Sequence, residues 1–175
     1  DAYYQLGRIY QAWGKYEDAI THYEQSRDFY QTLGMQKEVA SKVWWSADCY
    51  RKWGRYKGAI KHYQQSRSLY ETLGLEKTVI KVLSQTAGCY MDEGKYQKAL
   101  EAQQESFEIC QKLDDQPNIA DAYYQLGRIY QAWGKYEEAI AHHEQSRELY
   151  QQLEKESNVA NQWYNLADCY RGWGR

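Results

Sequence analysis

DAYYQLGRIYQAWGKYE, residues 1–17, returns without a change as residues 121–137, and this stretch decides the fold. Related stretches lie at the same phase between the two copies, SADCYRKWGRY at residues 46–56 and TAGCYMDEGKY at residues 86–96, and LADCYRGWGR ends the chain at residues 166–175. Successive copies are therefore 40 residues apart. A fixed period of this size predicts stacked helical units in which each unit covers its neighbour.

The first repeat contains two amphipathic stripes separated by Gly14. Apolar and aromatic residues spaced by three and four predict one helix before this glycine and a second helix after it. The first stripe is Tyr3, Leu6, Ile9, Tyr10 and Trp13, and the second is Tyr16, Ala19, Ile20, Tyr23, Tyr30 and Leu33. Each repeat is thus predicted to be an antiparallel pair of an A helix and a B helix.

The period extends this assignment along the chain. The predicted B helices are 16–33, 56–73, 96–113 and 136–153, and the later A helices are 36–53, 76–93, 116–133 and 156–173. Glycine recurs at Gly54, Gly94, Gly134 and Gly174, where a helix end needs a left-handed backbone. The second turn of each repeat is expected near Gly34, Gly74, Asp114 and Glu154. Small residues such as Gly7 and Ala19 indicate a close approach of the two helices.

These features predict an all-α fold, a single right-handed superhelical solenoid over residues 1–175. Its units are 1–40, 41–80, 81–120 and 121–160, with a partial unit at 161–175. The first and fourth units agree at 27 of their first 33 positions. In the final helix, Trp163, Leu166 and Tyr170 are expected to be partly exposed, because no B helix follows them.

Composition and charge exclude several classes of function. The formal net charge is −2 and no run of Lys or Arg occurs, so the sequence lacks the basic surface that nucleic acids and anionic lipids require. No stretch approaches the roughly 18 apolar residues of a membrane helix. We therefore expect a soluble, cytoplasmic protein that binds neither nucleic acid nor membrane.

The four cysteines are expected to be free and mostly buried thiols. Cys49, Cys89 and Cys169 occupy one phase of the repeat, and Cys110 occupies another. Equivalent positions on stacked helices lie about 10 Å apart, which is too far for a disulfide. A reducing compartment would suit this arrangement.

No arrangement of residues points to catalysis. His142 and His143 are the only close histidine pair, but adjacent residues on a helix point about 100° apart and do not chelate a metal from one face. His143 also occupies the phase of Tyr23, which is a packing position. The glycines are spaced by a whole repeat and do not form a phosphate-binding loop. We expect no enzymatic activity, no metal and no cofactor.

Several motifs resemble the tetratricopeptide repeat. Trp163, Leu166, Ala167 and Tyr170 match the family signature, as do Tyr3, Leu6, Gly7 and Tyr10, followed by Ala19 and Tyr23. The period of 40 differs from the usual 34, and the closing proline is absent. This long form is similar to Pins-type polarity adaptors and to cyanobacterial signalling arrays. The resemblance implies binding of a protein or peptide in an inner groove formed by the A helices.

The groove residues follow from the phase of the buried stripe, since they should lie on the opposite side of each A helix. We call this set the groove face. It consists of Tyr4, Arg8, Gln11, Trp44, Asp48, Arg51, Ser84, Gly88, Met91, Tyr124, Arg128, Gln131, Tyr164, Asp168 and Arg171.

An aromatic row on the groove face is interrupted at Ser84. Ser84 and Gly88 replace the bulkier residues of the neighbouring repeats, which predicts a pocket between Trp44 and Tyr124 into which a partner side chain enters. The alternative is that long neighbouring side chains or water fill the space. Met91 would line the pocket, with Asp48, Arg51 and Arg128 at its edge.

Two further expectations concern the charges of the groove face. Arg8 and Asp48 share a phase, as do Arg128 and Asp168, so each pair is expected to form a salt bridge between repeats; the alternative is that these charges contact a charged partner. The clamp of chaperone-binding tetratricopeptide proteins uses Lys and Asn where this chain has Tyr4, Arg8 and Trp44, so binding of chaperone tails is disfavoured.

The sequence favours a scaffold for protein or peptide binding, within a larger signalling or adaptor protein. Two alternatives remain open. The first is a structural spacer or rod that associates end to end, and the second is a ligand-sensing module that regulates an attached effector domain.

Overall fold

The computed structural model describes residues 1–174, which form nine α-helices. They are α1 (Ala2–Ala12), α2 (Tyr16–Thr32), α3 (Gln36–Lys52), α4 (Tyr56–Thr72), α5 (Glu76–Asp92), α6 (Tyr96–Lys112), α7 (Gln116–Ala132), α8 (Tyr136–Gln152) and α9 (Glu156–Trp173). The odd-numbered helices are the A helices and the even-numbered helices are the B helices. Each predicted boundary agrees with the structure to within one residue, because the stripe and the turn glycine are both local signals.

The helices α1, α3, α5 and α7 end with the same C-terminal turn. Gly14 has a φ of 72°, and the next amide, Lys15 N, donates to the carbonyl of Tyr10 at 2.9 Å. The same bond recurs from Arg55 N to Tyr50 O at 2.9 Å. The left-handed residue turns the chain so that this carbonyl, which has no partner within the helix, is satisfied.

The turn from a B helix to the next A helix also needs a left-handed residue. Gly34 and Gly74 supply it in the first two repeats, with φ of 68° and 65°. Asp114 and Glu154 supply it in the other two, with φ of 48° and 55°. The sequence placed these turns correctly, although only two of the four carry glycine.

The chain divides into two compact units, Asp1–Cys89 and Tyr90–Arg175. In the first unit, consecutive helices from α1 to α4 pack against each other in chain order, and in the second unit the same holds from α6 to α9. The single solenoid predicted over the whole chain stays a prediction.

Each unit has a core cluster at the same phase of the repeat. In the first unit it consists of Ala19, Ile20, Tyr23 and Cys49, with Trp45, Tyr50 and Trp53 packed against it. In the second unit it consists of Ala139, Ile140, Leu166 and Cys169, with Tyr130, Tyr136 and Trp173 packed against it. A B helix and the A helix that follows it therefore share one core, as the stacking argument requires.

The small residues of the A helices leave space for a ring of the B helix. A Cβ atom at Gly7 would lie 2.6 Å from the Tyr23 ring, and one at Gly127 would lie 2.8 Å from the His143 ring. The close approach that the sequence predicted is thus made by a side-chain ring lying against the A-helix backbone. Any side chain at either glycine would have to displace that ring.

All four cysteines are buried thiols outside any disulfide, as predicted. Burial, together with the neighbouring Asp48 carboxylate, raises the pKa of the Cys49 thiol to about 12. Burial likewise raises the pKa of Cys110 and of Cys169 to about 11. These thiols stay protonated at neutral pH and fill space in the core.

The first and last helices carry exposed apolar side chains. In α1, Tyr3, Leu6 and Ile9 are exposed, and Trp13, directly after the helix, is 67% exposed. In α9, Trp163 is 57% exposed and Tyr170 is exposed as well. The expectation was wrong for Leu166, which is buried because it packs against Ala139 and Ile140 of the preceding B helix.

Candidate functional site

The groove face of the first unit is held together by a chain of hydrogen bonds between α1, α2 and α3. Tyr23 Oη donates to Oε1 of Gln11 at 2.7 Å, and Gln11 Nε2 donates to Oδ2 of Asp48 at 2.9 Å. All three residues are buried. The groove residues of two consecutive A helices are therefore adjacent, and a B-helix tyrosine fixes their register.

Asp48 is the electrostatic centre of this chain of hydrogen bonds. Burial would raise the pKa of its carboxyl group, but Lys52 and Arg51 outweigh that effect and hold the pKa below its usual range. Lys52 Nζ lies 2.9 Å from Oδ2 and Arg51 Nη2 lies 2.9 Å from Oδ1. A charged group in a buried position needs such partners, and Asp48 has them.

The expected salt bridge from Arg8 to Asp48 was wrong. The carboxylate of Asp48 is occupied by Gln11, Arg51 and Lys52, and the Arg8 guanidinium lies instead over the Tyr4 ring, 5.9 Å from its centroid. Arg8 is exposed and forms no ion pair within residues 1–174. Its charge therefore remains available at the surface.

The second unit repeats the contacts of this aspartate with glutamine and arginine, although His143 replaces Tyr23 and Gly172 replaces Lys52. Gln131 Nε2 donates to Oδ2 of Asp168 at 2.6 Å, and Arg171 of α9 pairs with the same carboxylate. The expected Arg128–Asp168 salt bridge was also wrong, because Arg128 donates to Gln125 at 3.2 Å and lies 5.7 Å from the Tyr124 ring centroid. Within each unit, a glutamine side chain thus bonds one A helix to the next.

His143 occupies the place of Tyr23 in the second unit. Its ring is fully buried, and Nδ1 donates to Oε1 of Gln162 at 2.8 Å. The other ring nitrogen, Nε2, is buried without a hydrogen-bond partner. Burial lowers the pKa of His143, and the charges of His142 and Arg128 lower it further despite the bond to Gln162. The imidazole is therefore neutral at pH 7.

The aromatic row on the groove face is partly exposed in both units. Trp44 packs edge-on against Trp45 with centroids 5.0 Å apart, and Tyr4 lies 5.6 Å from the same Trp45. In the second unit, Tyr124 lies 6.1 Å from the ring of His143, whereas Tyr164 is 72% exposed. Rings that are packed on one side and open on the other provide apolar area at fixed positions.

The remaining groove residues lie on α5. Ser84 and Gly88 are half-buried, and a Cβ atom at Gly88 would meet no heavy atom within 4 Å, unlike one at Gly7 or Gly127. Met91 is half-buried and lies in the second unit. The pocket between Trp44 and Tyr124 would combine residues of both units and stays a prediction.

Lys42 is a groove residue that the sequence reasoning missed. Its side chain is almost fully buried, lies 4.2 Å from the Tyr4 ring centroid and pairs with Glu38 at 3.3 Å. The other repeats have alanine, valine or glutamine at this phase. The sequence did contain a signal for Lys42, because most other repeats have an apolar residue at this position.

Neither histidine of the second-unit pair points to a metal site. His142 stacks on Tyr130 with centroids 5.3 Å apart, while His143 faces Gln162. Within residues 1–174, no three His, Cys, Asp or Glu side chains are grouped so that they could hold a metal ion. In the same part of the chain, no helix combines the length and the apolar character needed to cross a bilayer.

Two family models match the chain. The model of the soluble NSF attachment protein, SNAP, matches residues 1–105, and the tetratricopeptide repeat model matches residues 78–152. The chain belongs to the tetratricopeptide repeat family. The two matches share residues 78–105, which lie in α5 and α6. No curated protein sequence matches it significantly. The likeness to Pins-type adaptors stays a prediction.

Solved structures show that the array is an all-α helical-repeat solenoid. BtubC (BKLC) from P. vanneervenii is 22% identical over 97% of this chain and 70% of that chain, with a TM-score of 0.83. A putative kinesin light chain from Podosopora anserina with nearly identical TPR-like repeats is 22% identical over 99% and 85%, with a TM-score of 0.79.

A Rap protein complexed with competence and sporulation factor is 18% identical over 98% of this chain and 54% of that chain, with a TM-score of 0.68. The array thus spans about half of the Rap chain. At these identities, the likeness establishes the fold alone.

Proposed function

We propose that this tetratricopeptide array is a scaffold, within a larger signalling or adaptor protein, that binds a protein or peptide segment on its groove face. The observation that carries the proposal is the pair of Gln–Asp bonds, which is buried between Gln11 and Asp48 and partly buried between Gln131 and Asp168. These bonds hold consecutive A helices in register beneath partly exposed aromatic rings. A preorganised surface loses little side-chain entropy when a partner binds.

The charges of the groove face favour a partner that carries carboxylates. Asp48 is neutralised by Arg51 and Lys52, whereas Arg8 and Arg128 form no ion pair within residues 1–174. Each of these two guanidiniums lies beside a tyrosine, Tyr4 or Tyr124. Aromatic residues next to arginine are typical of the residues that dominate binding energy at interfaces. The Rap protein complex named above supports a partner-binding role for this fold.

The test is a selection of binding peptides from a random displayed library, followed by affinity measurements on variants. Arg8→Ala/Arg128→Ala removes one cation from each unit, and we expect it to weaken the selected peptides roughly tenfold. Lys57→Ala/Lys98→Ala is the matched control, because it removes the same charge from exposed positions on B helices. Trp44→Ala is expected to weaken binding as well, with helicity checked by circular dichroism.

The proposal predicts that the selected peptides are enriched in Asp and Glu and lose affinity only with the groove variants. Equal losses with the lysine control would show that net charge alone attracts the peptides. A library that yields no binder, or binders that ignore all three groove substitutions, would contradict the proposal.

Self-association is a second candidate function, favoured by the exposed apolar faces of α1 and α9. Trp13, Trp163 and Tyr164 are each more than half exposed. Contiguous exposed aromatic surface is typical of contact sites between proteins. Sedimentation velocity over a range of concentrations tests this candidate, with Trp13→Ser/Trp163→Ser as the variant expected to remain monomeric. A wild-type chain that stays monomeric throughout that range would rule it out.

A further inference from the structure

The second unit contains an open cavity of about 540 Å³ between α6 and α7, and His142 of α8 also lines it. Its apolar lining includes Leu100, Leu126, Tyr130 and Trp133. The α6 side of the cavity carries three glutamates, Glu101, Glu105 and Glu108. The volume is in the range of pockets that take a small ligand or a few side chains.

This cavity is separate from the groove face, because α7 presents the two on opposite sides. Tyr124 and Arg128 belong to the groove face, whereas Leu126, Tyr130 and Trp133 line the cavity. At about 100° per residue, Tyr124 and Leu126 point about 200° apart, and so do Arg128 and Tyr130. A partner bound in the cavity would therefore leave the groove face of this helix free.

The lining has a negative charge that its own cations do not cancel. Glu105 has an interaction of its own, the carboxylates of Glu101 and Glu108 face one ammonium group, that of Lys135, and the remaining lining is uncharged or histidine. Glu101 and Glu108 are exposed, and neither forms an ion pair within residues 1–174. A cationic side chain entering the cavity would find partners that are not already engaged.

The Trp133 ring of the cavity already contacts a cation of this chain. Lys135 Nζ lies 3.9 Å from the centroid of the Trp133 ring. At the same place of the second repeat, Arg55 lies 3.7 Å over the Trp53 ring. In two repeats, therefore, a cation two residues after the tryptophan lies over its ring at a distance typical of cation–π contact.

The glutamates are not needed for the fold. The position of Glu101 is Thr21, Lys61 and Ala141 in the other repeats, and that of Glu108 is Asp28, Ser68 and Glu148. The B helices α2, α4 and α8 form with these residues in place. Packing therefore does not account for the acidic side of the cavity.

We propose that this cavity is a second docking site, which takes an arginine side chain from a basic segment of a partner protein. The guanidinium pairs with Glu101 and Glu108, and its methylene groups lie against Leu100 and Leu126. Charge complementarity selects this partner, since an acidic segment would be repelled. The site is independent of the groove face and goes beyond the function proposed above.

The test uses the whole chain and a short labelled peptide that alternates arginine with leucine, with binding followed by fluorescence anisotropy. The same peptide with citrulline in place of arginine keeps the shape and removes the charge. Glu101→Ala/Glu108→Ser copies residues of other repeats, so the variant is expected to fold, and circular dichroism verifies it. The control Glu137→Ala/Glu148→Ser removes the same charge from exposed positions of α8 that do not line the cavity.

We expect the arginine peptide to bind, the citrulline peptide to bind at least tenfold more weakly, and the cavity variant to lose roughly tenfold in affinity while the α8 control keeps it. Equal losses in both variants would assign the binding to overall charge and overturn the proposal. So would equal binding of the citrulline peptide, or no binding at all. Loss of this binding in Arg8→Ala/Arg128→Ala would also overturn it, whereas failure of the cavity leaves the groove proposal intact.

Discussion

At the scale of the residue, Glu154 shows that the turn between α8 and α9 forms without glycine at its left-handed position. Its φ of 55° is left-handed, as is the φ of 68° at Gly34, which occupies the same position in the first repeat. An ordinary side chain in this conformation costs about 1–2 kcal/mol. The turn nevertheless forms, because the helices on both sides pack against each other and hold it in place.

Glu154→Gly should therefore stabilise the protein. The relief of the left-handed strain exceeds the extra flexibility that glycine gives the unfolded chain, which costs about 0.4–1 kcal/mol. We expect the free energy of unfolding to rise by about 1 kcal/mol in urea denaturation.

The reverse substitution, Gly34→Glu, is the matched control at the same phase. It should lower the free energy of unfolding by about 1 kcal/mol. If both substitutions changed stability in the same direction, backbone strain would not be the cause.

At the scale of the element, the helix pairs α1–α2 and α7–α8 differ at one internal contact. In the first pair, Tyr23 lies against Gly7 and donates to Gln11. In the second pair, His143 lies against Gly127 and donates to Gln162. A neutral ring packs equally well in both, but only the histidine can take up a proton in the physiological pH range.

The second pair should consequently lose stability in mild acid. The folded pKa of His143 lies below its unfolded value of 6.5, mainly because of burial. The unfolded chain therefore takes up the proton first as the pH falls, and stability declines from about pH 6.5 down to the folded pKa. Above pH 6.5 the residue contributes no pH dependence.

His143→Tyr should remove this decline, because tyrosine is neutral throughout and can donate to Gln131 as Tyr23 does to Gln11. His142, whose pKa burial also lowers, remains and keeps a smaller slope. The measurement is the free energy of unfolding between pH 5 and pH 8 for the wild type and the variant.

Tyr23→His provides the opposite test in the first pair, where the new imidazole would replace the phenol that now bonds to Gln11. This variant should acquire additional acid sensitivity below about pH 6.5. An unchanged slope in both variants would show that burial at this phase does not control the titration.

At the scale of the whole molecule, the chain is built from contacts between near neighbours in sequence. The Gln11–Asp48 and Gln131–Asp168 bonds both span 37 residues, less than one repeat. Stability in such an array is approximately a sum of repeat stabilities and interfaces between neighbours. A local defect should accordingly remain local.

Ile140→Ala tests this locality. Ile140 is buried in the core cluster of α8 and α9, and its truncation should cost about 2–4 kcal/mol. We expect amide hydrogen exchange to become faster across α7, α8 and α9, with little change in the helices of Asp1–Cys89.

Ile20→Ala is the equivalent change in the first unit, where the residue packs with Ala19 and Cys49. It should accelerate exchange in α1, α2 and α3 and leave α8 and α9 unchanged. Uniform acceleration over the whole chain by either variant would contradict the nearest-neighbour description and indicate a single cooperative transition.

The candidate site was predictable from the sequence only in outline. The phase of the repeat placed Gln11, Asp48, Gln131 and Asp168 on one face, and the structure brings them together in pairs. The phase did not reveal that Gln11 and Gln131, rather than Arg8 and Arg128, reach the aspartate of the next A helix. Residues that share a phase are neighbours, but bond formation depends on side-chain length and on distances between helices that periodicity does not contain.

The sequence by itself determined the helices, their order and their turns, because helix stripes and left-handed turn residues act over a few positions of the chain. Only the tertiary structure decided which polar groups pair, which aromatic faces stay open and where the cavity beside Trp133 lies. These features depend on contacts between side chains of different helices. The 40-residue period sets the spacing of those helices. The side chains that differ between repeats determine which hydrogen bonds form and which surfaces stay open.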